Sequence, residues 1–138
     1  MHKFILITLF FSCQVSNDLK NKNPEKIISL ERTACFGSCP IYKIEIFTNG
    51  NGTYTGKQFV ENLGVINFKI STKKIQEIIN YAEDIDFFKM EDRYYEPISD
   101  LPTTITIIKE KKIINYSGGP KQLRLLEKLI DRFYQDII

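Results

Sequence analysis

A chain of 138 residues is long enough for one domain with its own hydrophobic core and too short for two of ordinary size. Lys and Arg number 19 against 17 Asp and Glu, a formal net charge of +2, and the charges are interspersed, so no basic stripe points to nucleic acid. The single histidine is His2. The rest of the chain therefore lacks Ser-His-Asp and Cys-His machinery, His-ligated zinc and a histidine general base.

The chain opens MHKFILITLFFSC. Lys3 and the terminal amine supply positive charge, residues 4–11 are an unbroken apolar run, and small Ser12 precedes Cys13. That is the order of a secretory signal. The run is too short to span a bilayer, which takes about 20 apolar residues. The Ser12–Cys13 step resembles the lipobox of bacterial lipoproteins, although Phe10 stands where Leu is usual and Phe11 is bulky. The resemblance implies lipidation of Cys13, which becomes the mature N-terminus. It also implies export and an N-terminal lipid anchor on a membrane of the cell envelope, periplasmic or surface-exposed. Residues 14–26, QVSNDLKNKNPEK, are rich in Asn and Lys and carry Pro24. They bury too little to offset their ordering entropy and predict a flexible tether. A single domain over residues 27–138 is expected to follow.

IISLERT, residues 27–33, predicts a first strand that ends at CFGSCP, residues 35–40. With Cys13 lipidated, Cys35 and Cys39 remain as an even pair in an oxidising compartment, where disulfides persist. A disulfide needs Cα atoms within about 4.4–6.8 Å, whereas four extended steps span about 13 Å. The segment must therefore turn sharply, and Gly37 is expected to supply that freedom. Closing so small a loop contributes about 2 kcal/mol by chain entropy. The Cys-x-x-x-Cys-Pro spacing also resembles the copper motif of Sco-type thioredoxin-like proteins, but the distant His ligand and the βαβ units are missing. Two thiolates fall short of a zinc site, and the spacing is wrong for haem. A structural staple leads, a labile redox pair stays open, and no metal or cofactor is expected.

IYKIEIFT, residues 41–48, alternates with period two and predicts a half-buried strand. NGNG at 49–52 is a hairpin turn, GTYTGKQFV the return strand, and Gly64 opens a further run with Ile66, Phe68 and Ile70 apolar. Ser71 can then cap a helix bearing Ile75, Ile78, Ile79, Ala82 and Ile85 on one face.

MEDRYYEPISD, residues 90–100, is an acidic-aromatic loop. Glu91, Asp92, Glu96 and Asp100 are candidate carboxylates for a hydrolase that works without histidine. Asp92, Arg93, Tyr94, Tyr95, Glu96 and Asp100 together form a possible contact loop for a small ligand. The plainer alternative is a solvated loop whose acids cap turns and pair with Arg93. TTITIIKE and KIINYS predict a late hairpin. Gly119 and Pro120 then open a final helix, its stripe formed by Leu123, Leu126, Ile130 and Phe133 and widened by Leu125 and Leu129. No phosphate loop is present.

The expected fold is α+β: an antiparallel β-sheet in ββββ-α-ββ-α order, two helices packed on one face and the other face wet. Residues 28–133 resemble a bacterial family of unknown function, DUF6438. The resemblance rests on ERTACFGSCPIYKIEI, the Asn-Gly turn, TYTG at 53–56, the helix after KIS, and DLPTT at 100–104. It implies an exported or lipoprotein-type domain and no assigned activity. The functions in play are a tethered, non-catalytic module that binds an envelope protein or small ligand, a thiol–disulfide protein using Cys35 and Cys39, and a carboxylate hydrolase.

Overall fold

The structure, a computed structural model, describes residues 23–97 and 100–135, with side chains on the last helix described to residue 132. The signal segment with Cys13 and most of the tether lie outside the described residues.

The strands are β1 (Lys26–Arg32), β2 (Ile41–Phe47), β3 (Asn51–Gln58) and β4 (Gly64–Lys69), then α1 (Thr72–Asp84), β5 (Arg93–Tyr94), β6 (Thr104–Ile108), β7 (Lys111–Asn115) and α2 (Lys121–Gln135). They form one seven-stranded sheet in the order β4-β3-β2-β1-β6-β7-β5. The class is α+β, as expected. Two details differ. The sheet is mixed rather than purely antiparallel, because β5 pairs in parallel with β7. And β1, the first strand of the chain, is central, flanked by β2 and β6.

Alternation places Ile28, Leu30, Ile44, Ile46, Tyr54, Phe68, Ile108 and Ile113 in one core with Ile75, Ile78, Ile79 and Ala82 of α1 and Leu123, Leu126 and Ile130 of α2. Both helices thus cover the same face. Each fully buried aliphatic side chain contributes about 1.5–3 kcal/mol. Ser71 caps α1, its hydroxyl accepting from the Lys74 N–H at 3.3 Å. In the β2–β3 turn Gly50 has φ +80°, and a Cβ there would lie 2.7 Å from the Ile70 carbonyl oxygen, so only glycine fits. Leu125 departs from the expected stripe: it is 44% exposed, lying off the axis of the buried row. Phe133 lies beyond the described side chains.

The opposite face carries a charge ladder. Lys26 and Lys43 each approach Glu45 Oε1 at 2.9 Å. Burial pushes the Glu45 carboxyl up, but the two ammonium groups hold it below the usual carboxylate range. These pairs are partly exposed and stabilise little.

A deeper polar cluster lies on the helix-covered face. Arg32 donates from Nε to Tyr42 Oη at 2.8 Å, from Nη1 to Thr104 Oγ1 at 3.0 Å and from Nη2 to Asp131 Oδ2 at 2.5 Å. Tyr42 Oη donates in turn to Asp131 Oδ1 at 2.6 Å. Burial works against the Arg32 charge, but Asp131 and Tyr42 raise its pKa on balance. Burial also pushes the Tyr42 phenol up, and Asp131 adds to the shift. The cluster ties α2 to β1, β2 and β6.

Candidate functional site

Strand directions decide what meets at each end of the sheet. β1 ends at Arg32, β2 begins at Ile41, β3 ends at Gln58, β4 begins at Gly64, β6 begins at Thr104 and β7 ends at Asn115. One end therefore collects the cysteine loop, the β3–β4 loop, the segment before β6 and the turn before α2. The chain enters the sheet at the other end, at Lys26.

At the first end, Cys35 and Cys39 are disulfide-bonded with Cα atoms 5.8 Å apart, inside the expected window. The turn is not made as expected. Gly37 is not in the left-handed region, and a Cβ there would meet only Cys35 Sγ at 3.8 Å, ordinary contact. The cross-link closes the loop without a glycine-only conformation. The Gly37 N–H donates to Cys35 Sγ at 3.2 Å. Phe36, between the two cysteines, is 93% exposed.

The 91–100 segment splits along its length. Asp92 Oδ1 pairs with Lys111 Nζ at 2.5 Å, at the start of β7, rather than with Arg93. Tyr94 packs against the core. Tyr95 stacks on Tyr116, ring centroids 5.2 Å apart. Glu96 lies against Gly118, and its N–H and C=O both bond the Ser117 hydroxyl at 2.9 Å. Arg93 and Glu91 are exposed. Asp92 and Glu96 are thus directed to opposite ends of β7, four extended steps or about 13 Å apart along the chain. Glycosidase carboxylates stand about 5–9.5 Å apart. That separation does not suit an Asp92–Glu96 pair. No group of three or more potential metal ligands occurs among the described residues.

Asp100, however, joins the cysteine loop. A cleft of about 370 Å³ is lined by Cys35, Phe36, Asp100, Leu101 and Tyr116 among others. Two segments singled out separately in the sequence meet there, because β1 and β6 are neighbours: the Thr33 N–H donates to the Thr103 carbonyl at 3.0 Å. A larger hollow of about 670 Å³ lies at the opposite end, where Glu25 and Lys26 enter the fold.

Phe36 and Leu101 line the cleft, Tyr95 stacks on its Tyr116 wall, and Phe59, Leu63 and Val65 lie farther off, by the β3–β4 edge of the sheet. Phe36, Phe59, Leu63, Val65, Tyr95 and Leu101 are all exposed large hydrophobics, and all belong to this end. Phe59, Leu63, Val65 and Leu101 went unremarked in the sequence. The signal for Phe59 was its place beside the β3–β4 turn, where a polar residue is usual. Phe59 has φ +53°, a conformation costly for a bulky side chain, and is 57% exposed. Phe59→Gly is expected to stabilise the fold by about 1 kcal/mol in denaturant melts, since it relieves left-handed strain and uncovers no core. A loss instead would mean that the ring supports the hairpin.

An α+β domain with a mixed sheet, helices on one face and a disulfide-closed loop beside an apolar end is the class this structure defines. The chain belongs to the family described as a domain of unknown function (DUF6438), whose model matches residues 26–134. No curated protein matches it. No solved structure matches it either. No described helix is long and apolar enough to cross a membrane.

Proposed function

We propose that this chain is an exported, membrane-tethered interaction module, lipidated at Cys13, whose contact surface is the apolar end of the sheet. Its partner is another protein of the cell envelope. The observation that carries this is the exposed set Phe36, Leu101 and Tyr95, which the cleft and the Tyr95–Tyr116 stack bring together at one end of the sheet. Exposed apolar groupings mark interaction sites, and aromatic anchors dominate protein interfaces. The tether enters at the opposite end, one seven-residue strand or about 23 Å away, so the apolar end is presented away from an anchor at Cys13. The disulfide and the Ser117–Glu96 bonds hold the loops still, which lowers the ordering cost of binding. The test is affinity capture of the full-length chain from its native envelope beside the variant F36S/Y95S/L101S. A protein enriched by the wild type and lost with the variant supports the reading. Identical recoveries overturn it.

One observation favours a second reading, a thiol–disulfide protein. Cys35 lines the cleft, and the Gly37 N–H aimed at its sulfur would stabilise a thiolate. A partner thiolate would attack Cys39 Sγ, forming a mixed disulfide there and releasing Cys35 as the thiolate that the Gly37 N–H stabilises. Alkylation and intact mass after graded reductant decide this: a bond that opens only on unfolding excludes it.

A further inference from the structure

Glu127 faces inward from α2 and is 4% exposed. Among the described residues it has no ion pair. Its neighbouring cations are engaged elsewhere: Arg32 with Asp131, Tyr42 and Thr104, and Arg124 with the Gly119 carbonyl. The bond Glu127 does make is to an amide. Asn115 Nδ2, at the end of β7, donates to Glu127 Oε1 at 3.1 Å. The oxygen of that same amide, Asn115 Oδ1, is buried with no donor. The loop closes over it, for a Cβ on Gly119 would lie 2.6 Å from Oδ1.

A buried carboxylate without an ion-pair partner and a buried carbonyl oxygen without a donor are each unfavourable. A single proton resolves both. We propose that Glu127 is a proton-binding site: in the folded protein it is a neutral carboxylic acid whose O–H is donated to Asn115 Oδ1, making a reciprocal acid–amide pair that fastens α2 to the end of β7. The two oxygens of a carboxyl match the spacing of the oxygen and nitrogen of a carboxamide. A protonated carboxyl supplies the donor that Asn115 Oδ1 lacks.

The surroundings agree. Burial pushes the Glu127 carboxyl up. The Asn115 bond and the Arg32 charge pull back, Asp131 pushes up again, Arg124 opposes it, and the balance is upward. The charged groups that act on it are Arg32, Asp131 and Arg124, and the buried residues of α1 are apolar. A carboxyl raised on folding contributes stability that is whole below its unfolded pKa and is lost as pH rises through its folded pKa. The pair is therefore a clamp that weakens on the alkaline side. Asn115 adjoins Tyr116, which stacks on Tyr95, so the clamp underlies the apolar end.

The test uses the full chain. Carboxyl NMR of the wild type is followed across pH, and thermal melts are compared with Glu127→Gln, whose amide can make both bonds without a proton. The expected result is a Glu127 resonance that stays in its neutral form beyond the pH at which the exposed glutamates have ionised. The wild-type Tm should then fall over that window while the Glu127→Gln Tm stays flat. A Glu127 that ionises together with the exposed glutamates overturns the proposal, as does a variant with the wild-type pH slope. If Glu127→Gln fails to fold, the wild-type resonance alone decides.

Discussion

Arg32→Ala is expected to cost about 3 kcal/mol of folding stability, the largest single loss from any polar side chain of the domain. The guanidinium is 22% exposed and the Asp131 carboxylate 17%, so neither is free to be rescued fully by water. Removing Arg32 leaves Asp131 charged against the Tyr42 hydroxyl and strips a donor from Thr104. The penalty comes mostly from the groups left behind rather than from the intrinsic worth of the ion pair. That distinction is measurable. Arg32→Leu combined with Asp131→Leu should recover most of the loss, because two apolar side chains of similar bulk need no partners. Urea melts of the two single variants and the double variant close the cycle. A loss below about 0.5 kcal/mol for Arg32→Ala would mean that solvent screens the pair as it does at a surface.

The second large effect is on binding. Phe36→Ser, Tyr95→Ser and Leu101→Ser together should weaken partner capture by 30-fold or more, about 2 kcal/mol, while leaving the melting transition within a few degrees of wild type. The asymmetry follows from exposure: Phe36 is 93%, Tyr95 67% and Leu101 38% exposed, so truncating them opens no core cavity. Tyr95 loses its stack on Tyr116, which accounts for most of the small stability change expected. Unchanged capture with an unchanged melt would remove this end of the sheet from consideration. A collapse of stability would reassign these side chains to packing.

The parts legible in the sequence are those whose physics is local. Ile44 and Ile46 alternate with Lys43 and Glu45 and form a strand; Ile75, Ile78, Ile79 and Ala82 fall at helical spacing and form a buried stripe; the Asn-Gly turn closes where glycine is required. The spacing of Cys35 and Cys39 predicted a sharp turn, and the disulfide is there, although Gly37 is not what makes it possible. What escaped depends on residues far apart in the chain. Tyr42 and Asp131 are separated by 89 positions, so no window of sequence reveals their bond. The two-residue β5 has no periodicity of its own; it exists because β7 offers it an edge, through the Ile114 and Tyr116 N–H groups. Glu127 falls at helical spacing among Leu123, Leu126 and Ile130, but its bond to Asn115, 12 positions away on β7, has no periodic signal. The candidate loop likewise read as one unit, yet Asp92 and Asp100 end at different places on the sheet, and only Asp100 shares the cleft with Cys35.

The central place of β1 has a consequence for how the chain is made. β1 emerges early in synthesis, and β2 follows soon after to cover one of its edges. Its other edge waits for β6, with Thr104 arriving 72 positions after Arg32. Until then the backbone groups from Ile28 to Arg32 offer an unoccupied template beside fully apolar Ile28 and Leu30. The nascent chain is thus most vulnerable to misassociation before β6 appears, and non-local pairing of this kind slows folding. Chains cut short before residue 104 should aggregate rather than form a smaller domain.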